Sequence, residues 1–124
     1  MKKDISFYVF IMLESISYIR DHIKDVDWDE FTGSILVQDA VLRRITIIGE
    51  ATKSIPDNVR SRYPDVPWKD IAGMRDKLVH DYLGVILERV WEVCTEDLPS
   101  LEERLKMILS ELEEEEGSTV LLER

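Results

Sequence analysis

From residue 5 onward the apolar side chains recur at steps of three and four, a period that leaves little room for anything but helices. Ile5, Val9, Met12, Ile16, Ile19 and Ile23 form one such stripe, the pattern of a helix buried along one face. Val37, Val41, Ile48, Ala51 and Ile55 form a second, and Pro56 ends it because a proline ring cannot continue the helical ladder. Period-two alternation bounded by turn dipeptides is absent, so no strand is expected. "DVDWDE" (Asp25–Glu30) reads as a linker, with Asp29 or Ser34 as a cap for the second long helix. "PDNVRSRYP" reads as a short helical turn between prolines, and Pro67 suits the first position of the next helix, "PWKDIAGMRDKLVH". Gly84 marks a break, and a last helix or kinked pair covers about 85–114, interrupted near Pro99. The expectation is an all-α, antiparallel four- to five-helix bundle. Residues 1–114 form a single domain, and 115–124 a disordered acidic and polar tail.

Composition narrows the setting. With 124 residues, 44% of them apolar, the chain can bury a core of its own. Its single cysteine, Cys94, can form no internal disulfide and reads as a packing residue. The longest apolar run, Phe7–Leu13, is far short of the roughly 20 residues a spanning helix needs. "MKK" resembles the opening of a signal peptide, but Asp4 and Glu14 interrupt the apolar stretch after it and no small-residue cleavage site appears. A soluble, cytoplasmic protein is expected. Its net charge of −10 argues against bulk attraction to nucleic acid. That total is uneven: residues 1–42 sum to −4 (4 basic, 8 acidic), 43–80 to +3 (8 basic, 5 acidic) and 81–124 to −9 (4 basic, 13 acidic). The middle segment permits a local anion site.

That segment ends in "RDKLVHDY" (Arg75–Tyr82), which holds one of only two histidines. At 100° per residue, Arg75 and Tyr82 fall within the apolar arc of their helix, about 20° apart, while His80 lies about 140° from Arg75. A straight helix would not present Arg75 and His80 together. Either the helix loosens before Gly84, or the arginine reaches around, or a second subunit completes the site. Arg44 likewise falls inside the apolar stripe of its helix, while Arg43, Ile47 and Glu50 share another face. The plain structural alternative is a pair of satisfied internal salt bridges, with Glu50 and Asp76 as partners. His22 reads as a surface residue.

The chain offers no cluster at metal-ligand spacing, no Gly-rich phosphate loop, no serine elbow and no Cys–His pair. Arginine, histidine, tyrosine and a few carboxylates remain. They suit RNA transesterification, in which a histidine near its neutral-pH titration moves protons and an arginine meets phosphate oxygens in pairs.

Arg75, four residues, His80, one residue and Tyr82 resemble the Arg-x4-His-x-Tyr signature of HepT-like toxins, within the HEPN group of helical domains. Asp39–Ile55, Tyr63–Val85 and Val90–Leu105 also resemble the corresponding segments, in order. One departure is Asp76, where the family often has asparagine; its charge could hold Arg75 and weaken the grip on phosphate. The resemblance implies a homodimer with a cleft between subunits, and metal-independent cleavage of RNA without a cofactor. Arg75 and His80 would be catalytic, with Asp76, Glu50 and Arg43 supporting. It implies the toxin of a type VII-like HEPN/MNT toxin–antitoxin pair, whose MNT-type nucleotidyltransferase antitoxin transfers AMP to Tyr82. Neither membrane nor DNA is an expected partner. The alternative is a non-catalytic HEPN-type binding subunit of a nucleotidyltransferase.

Overall fold

The computed structural model describes residues 4–123, with side chains for 4–117. Met1–Lys3, the signal-like opening, and Arg124 at the end of the expected tail lie outside the described residues. Every regular element among the described residues is helical: α1 (Ile5–Ile23), α2 (Trp28–Gly33), α3 (Ile35–Ser54), α4 (Asp57–Arg60), α5 (Trp68–His80), α6 (Leu87–Glu92) and α7 (Leu98–Glu123). A 3-10 turn spans Tyr82–Gly84, and a π-helical turn, Val93–Asp97, joins α6 to α7. Four long helices thus form the bundle. No helix among the described residues is long and apolar enough to cross a membrane.

The two apolar stripes meet each other. Val9, Met12, Ile16 and Ile19 of α1 are buried against Val41, Ile48 and Ala51 of α3. α7 closes the other side of α1 with Leu105, Ile108 and Leu112, and α5 packs on the far side of α3. α1 thus packs between α3 and α7, and α5 on α3, while α5 and the start of α7 line a shared cavity of about 430 Å³.

Three expectations about the connections change. "DVDWDE" is more than a linker, because Asp27 and Glu30 form a reciprocal capping box that starts α2. Asp29 caps nothing; Ser34 caps α3, its hydroxyl accepting the Val37 N–H at 3.2 Å. The break near Pro99 is a π turn: proline has no N–H and its ring would strike the carbonyl four residues back, so the backbone widens there.

The last helix also continues past 114. Arg62 holds Glu115 as an ion pair, and Glu116 accepts hydrogen bonds from the Ser6 N–H (3.1 Å) and hydroxyl (2.5 Å). Glu116 thus serves the open N-terminus of α1, where the cap residue Asp4 offers no side-chain bond.

Candidate functional site

α3 and α5 approach each other closely at Gly49. A Cβ there would lie 2.1 Å from the Cβ of Arg75, so only glycine lets the two backbones come this near. The contact seats Arg75 among carboxylates. Its Nη1 donates to Asp76 Oδ1 at 2.9 Å, and its Nε and Nη2 donate to Glu50 Oε1 at 2.5 Å. Lys53 donates to the same Asp76 oxygen at 2.6 Å. The Arg75 side chain is only 19% exposed. Asp76, followed by Glu50, raises the guanidinium pKa above its ordinary value. Lys53 and then Arg75 hold the Asp76 carboxyl below its ordinary 3.8. Both partners expected for Arg75 are in place. Lys53 and Gly49 were missed.

Tyr82 belongs to a different neighbourhood. α5 ends at His80, and Asp81 leaves the helical region with φ −143° and ψ 55°. The wheel that placed Tyr82 about 20° from Arg75 therefore fails, since it extends a helix that has already stopped. Gly84 permits the tight turn after it; a Cβ there would strike the Asp81 carboxylate. Tyr82 is half exposed and its hydroxyl donates to Asp39 Oδ1 at 3.3 Å. It lines a depression of about 250 Å³ with Asp39, Arg43 and Thr46. Partial burial, then the Asp39 charge, pushes the phenol above its ordinary 10.0. Arg43, expected as a supporting residue, thus stands beside Tyr82 rather than Arg75. It is exposed and has no ion-pair partner among the described residues.

Both neighbourhoods draw on one stripe of α3. Asp39, Arg43, Thr46, Glu50 and Lys53 recur at steps of four and three, so one helical edge serves Tyr82 near its start and Arg75 near its end. This polar repeat was the available signal for Asp39 and Lys53, and the apolar stripe beside it overshadowed it. Arg44, the other arginine in an apolar arc, forms no salt bridge among the described residues; its guanidinium lies 4.4 Å from the centre of the Tyr18 ring.

His80 joins neither group. It is exposed on the last turn of α5 and makes no hydrogen bond or ion pair among the described residues. Within one chain, then, the motif presents an arginine clamped by carboxylates, an exposed imidazole and a phenol on an acid. Cys94 is buried, and burial pushes its thiol up to about 12, which fits the expected packing role. His22 is partly buried at the end of α1. Among the described residues, no three His, Cys, Asp or Glu side chains gather where they could hold a metal ion.

The chain matches the family model described as Ribonuclease HepT-like over residues 12–108. It is 44% identical over 118 residues to a Methanocaldococcus jannaschii protein named as a gamma-glutamylcyclotransferase and candidate RNase, covering 95% of this chain. The chain spans only 53% of the length of that relative. A second candidate RNase of the same organism is 39% identical, covering 91% of this chain and 97% of its own length. A Thermococcus cleftensis protein named "Probable ribonuclease HepT" is 35% identical, covering 87% of this chain and 98% of its own length. No solved structure matches the chain. Spread across α1, α3, α5 and much of α7, the match takes in every part of the motif and both of its neighbourhoods, and the chain belongs to the HepT-like family.

Proposed function

We propose that this chain is a metal-independent endoribonuclease, the toxin of a toxin–antitoxin pair whose nucleotidyltransferase antitoxin adds AMP to Tyr82. The observation that carries the reading is the exposed, unpartnered His80 beside the turn that holds Tyr82, in a chain of the HepT-like family.

In this reading the RNA 2′-oxygen attacks the adjacent phosphorus, the bond to the 5′-oxygen breaks, and a cyclic phosphate and a free 5′-hydroxyl result. An imidazole can accept the 2′ proton or supply one to the leaving oxygen. Arg75 donates to the phosphorane oxygens as their charge grows. One chain holds Arg75 and His80 on different faces of α5, so the site is composite, built across a homodimer that brings two copies of each to one cleft. Exposed apolar side chains around Tyr82 support that arrangement: Leu83 is 98% exposed and Leu36 is 81% exposed, one turn before Asp39. AMP on Tyr82 would place bulk and negative charge beside the cleft and keep RNA out, and the unpaired Arg43 is positioned to meet its phosphate.

His80→Ala is expected to remove RNA cleavage and toxicity while the protein stays folded and associated, because the side chain is exposed and makes no hydrogen bond or ion pair among the described residues. An undiminished cleavage rate would take His80 out of the mechanism. Intact-mass measurement after co-expression with an adjacent nucleotidyltransferase tests the regulatory half. AMP-sized increments on the Tyr82 peptide, absent in Tyr82→Phe, are expected.

A second reading has one observation in its favour. Arg75 is already neutralised by Glu50 and Asp76, as suits a non-catalytic binding subunit of a nucleotidyltransferase. A stoichiometric complex with that enzyme and no RNA turnover by the unmodified chain would select it.

A further inference from the structure

An acidic chain must still offer RNA a way in, and its ion pairs reveal where. Most cations here are committed: Arg20, Lys53, Arg60, Arg62, Arg75, Arg89, Arg104 and Lys106 each pair with a carboxylate. Among the described residues, Lys24, Arg43, Arg44, Lys69 and Lys77 have no such partner, Arg44 lying instead over the Tyr18 ring. Two of these, Lys69 and Lys77, are exposed on α5 and line a single groove of about 380 Å³. Its floor is apolar, lined by Met74, Leu78 and Val85 with the exposed Ile86 beside them, and it runs from the start of α5 to the segment just after the Tyr82 turn.

We infer that this groove is a binding track for single-stranded RNA, with Lys69 and Lys77 on the phosphates and the apolar floor against sugar and base. The inference rests on the ribonuclease reading and names the face by which that substrate enters. Three features support it. Lys69, Gly73, Lys77 and His80 fall within an arc of about 80° on α5, so one strand along this face meets both lysines and then the imidazole. The two lysines stand about 12 Å apart along the axis, long enough to follow a short single-stranded segment. Lys69 is the second residue of α5, where the helix dipole disfavours a cation, and no carboxylate is paired with it to offset that cost. Asp70 is an acid on the groove wall, and Arg89 is already paired with Glu92 and Asp97. The track therefore depends on the two lysines. Its floor has no aromatic ring for bases to stack on, so it binds with little sequence preference.

The test uses the full-length protein carrying His80→Ala, so that bound RNA survives, and a fluorescent single-stranded RNA of mixed sequence titrated over a salt series. Adding Lys69→Ala and Lys77→Ala is expected to raise Kd about tenfold at low salt. It should also flatten the slope of log K against log salt by about 1.4, at about 0.7 for each lost phosphate contact. Lys24→Ala, an equal loss of unpaired charge at the end of α1, should leave both nearly unchanged. With His80 intact, the double variant should show a raised KM and a kcat within about twofold of the parent. An unchanged Kd and slope, or an equal loss in Lys24→Ala, overturns the track while the ribonuclease reading stands if the parent still cleaves. RNA binding intact but capture of a nucleotidyltransferase partner lost assigns the face to protein and overturns it too. A parent that neither binds nor cleaves RNA removes the ribonuclease reading and the track together.

Discussion

Arg75 is held by two carboxylates in the single chain, and in the proposed reaction a phosphate would compete with both. Ion pairs open to water are weak, so removing the Asp76 charge should raise kcat/KM severalfold at most. Asp76→Asn is therefore expected to increase cleavage about two- to fivefold, read in initial rates against an RNA oligonucleotide, with a small change in stability. An unchanged or lower rate would show that Asp76 positions Arg75 more than it restrains it. The same cluster makes an acid-side prediction. Lys53 and Arg75 depress the Asp76 pKa, so its contribution to stability is present above the ordinary value of 3.8 and is lost as pH falls below it. Urea unfolding between pH 5 and 3 should show a loss that is smaller in Asp76→Asn. At this scale the sequence named Arg75, His80, Tyr82, Glu50 and Asp76 from residue chemistry and resemblance. Lys53 and Asp39 escaped because a lysine or aspartate on an exposed helical edge carries no mark of its partner until another helix is placed beside it.

Among the elements, α3 carries the most information. Its apolar stripe packs on α1, while its polar stripe serves Tyr82 and Arg75 in turn. The meeting with α5 at Gly49 predicts opposite outcomes for two glycines. Gly49→Ala drives a Cβ into Arg75, and such overpacking costs about 1–3 kcal/mol, against the roughly 1 kcal/mol that alanine gains over glycine in a helix. A lowered unfolding midpoint and a loss of cleavage are expected. Gly73→Ala meets nothing within 4 Å and should raise stability by roughly 0.5–1 kcal/mol, read as a higher midpoint. If both variants gained stability, α3 and α5 would not be in contact at Arg75. The helices themselves were legible from their period, as was the end of α3 at Pro56. The stretch read as the next helix also ends at His80, where α5 ends, yet the wheel was carried on to Tyr82; the helix stops because Asp81 takes an extended φ and the chain closes on Gly84.

Across the molecule, charge and apolar exposure are distributed unevenly. Acidic side chains dominate both ends of the sequence, while the unpaired Arg43, Lys69 and Lys77 and the exposed Leu36 and Leu83 lie on α3, on α5 and in the segment after α5. If that apolar patch is where two copies meet, Leu83→Asp costs the single chain nothing, because Leu83 packs against almost nothing within it. Sedimentation should find the parent dimeric and Leu83→Asp monomeric, with cleavage reduced more than about tenfold; a dimeric, active variant would place the interface elsewhere. The sequence by itself determined that this chain folds as helices, where most of them lie, and which residue types could do chemistry. Each of those comes from local period, local propensity or side-chain identity. Only the tertiary structure decided which carboxylates hold Arg75, that Tyr82 leaves the Arg75 face for Asp39 and Arg43, and that Glu116 reaches back to Ser6. Those contacts join residues far apart in the chain, and they depend on helix spacing and on where a helix stops, which no periodicity encodes.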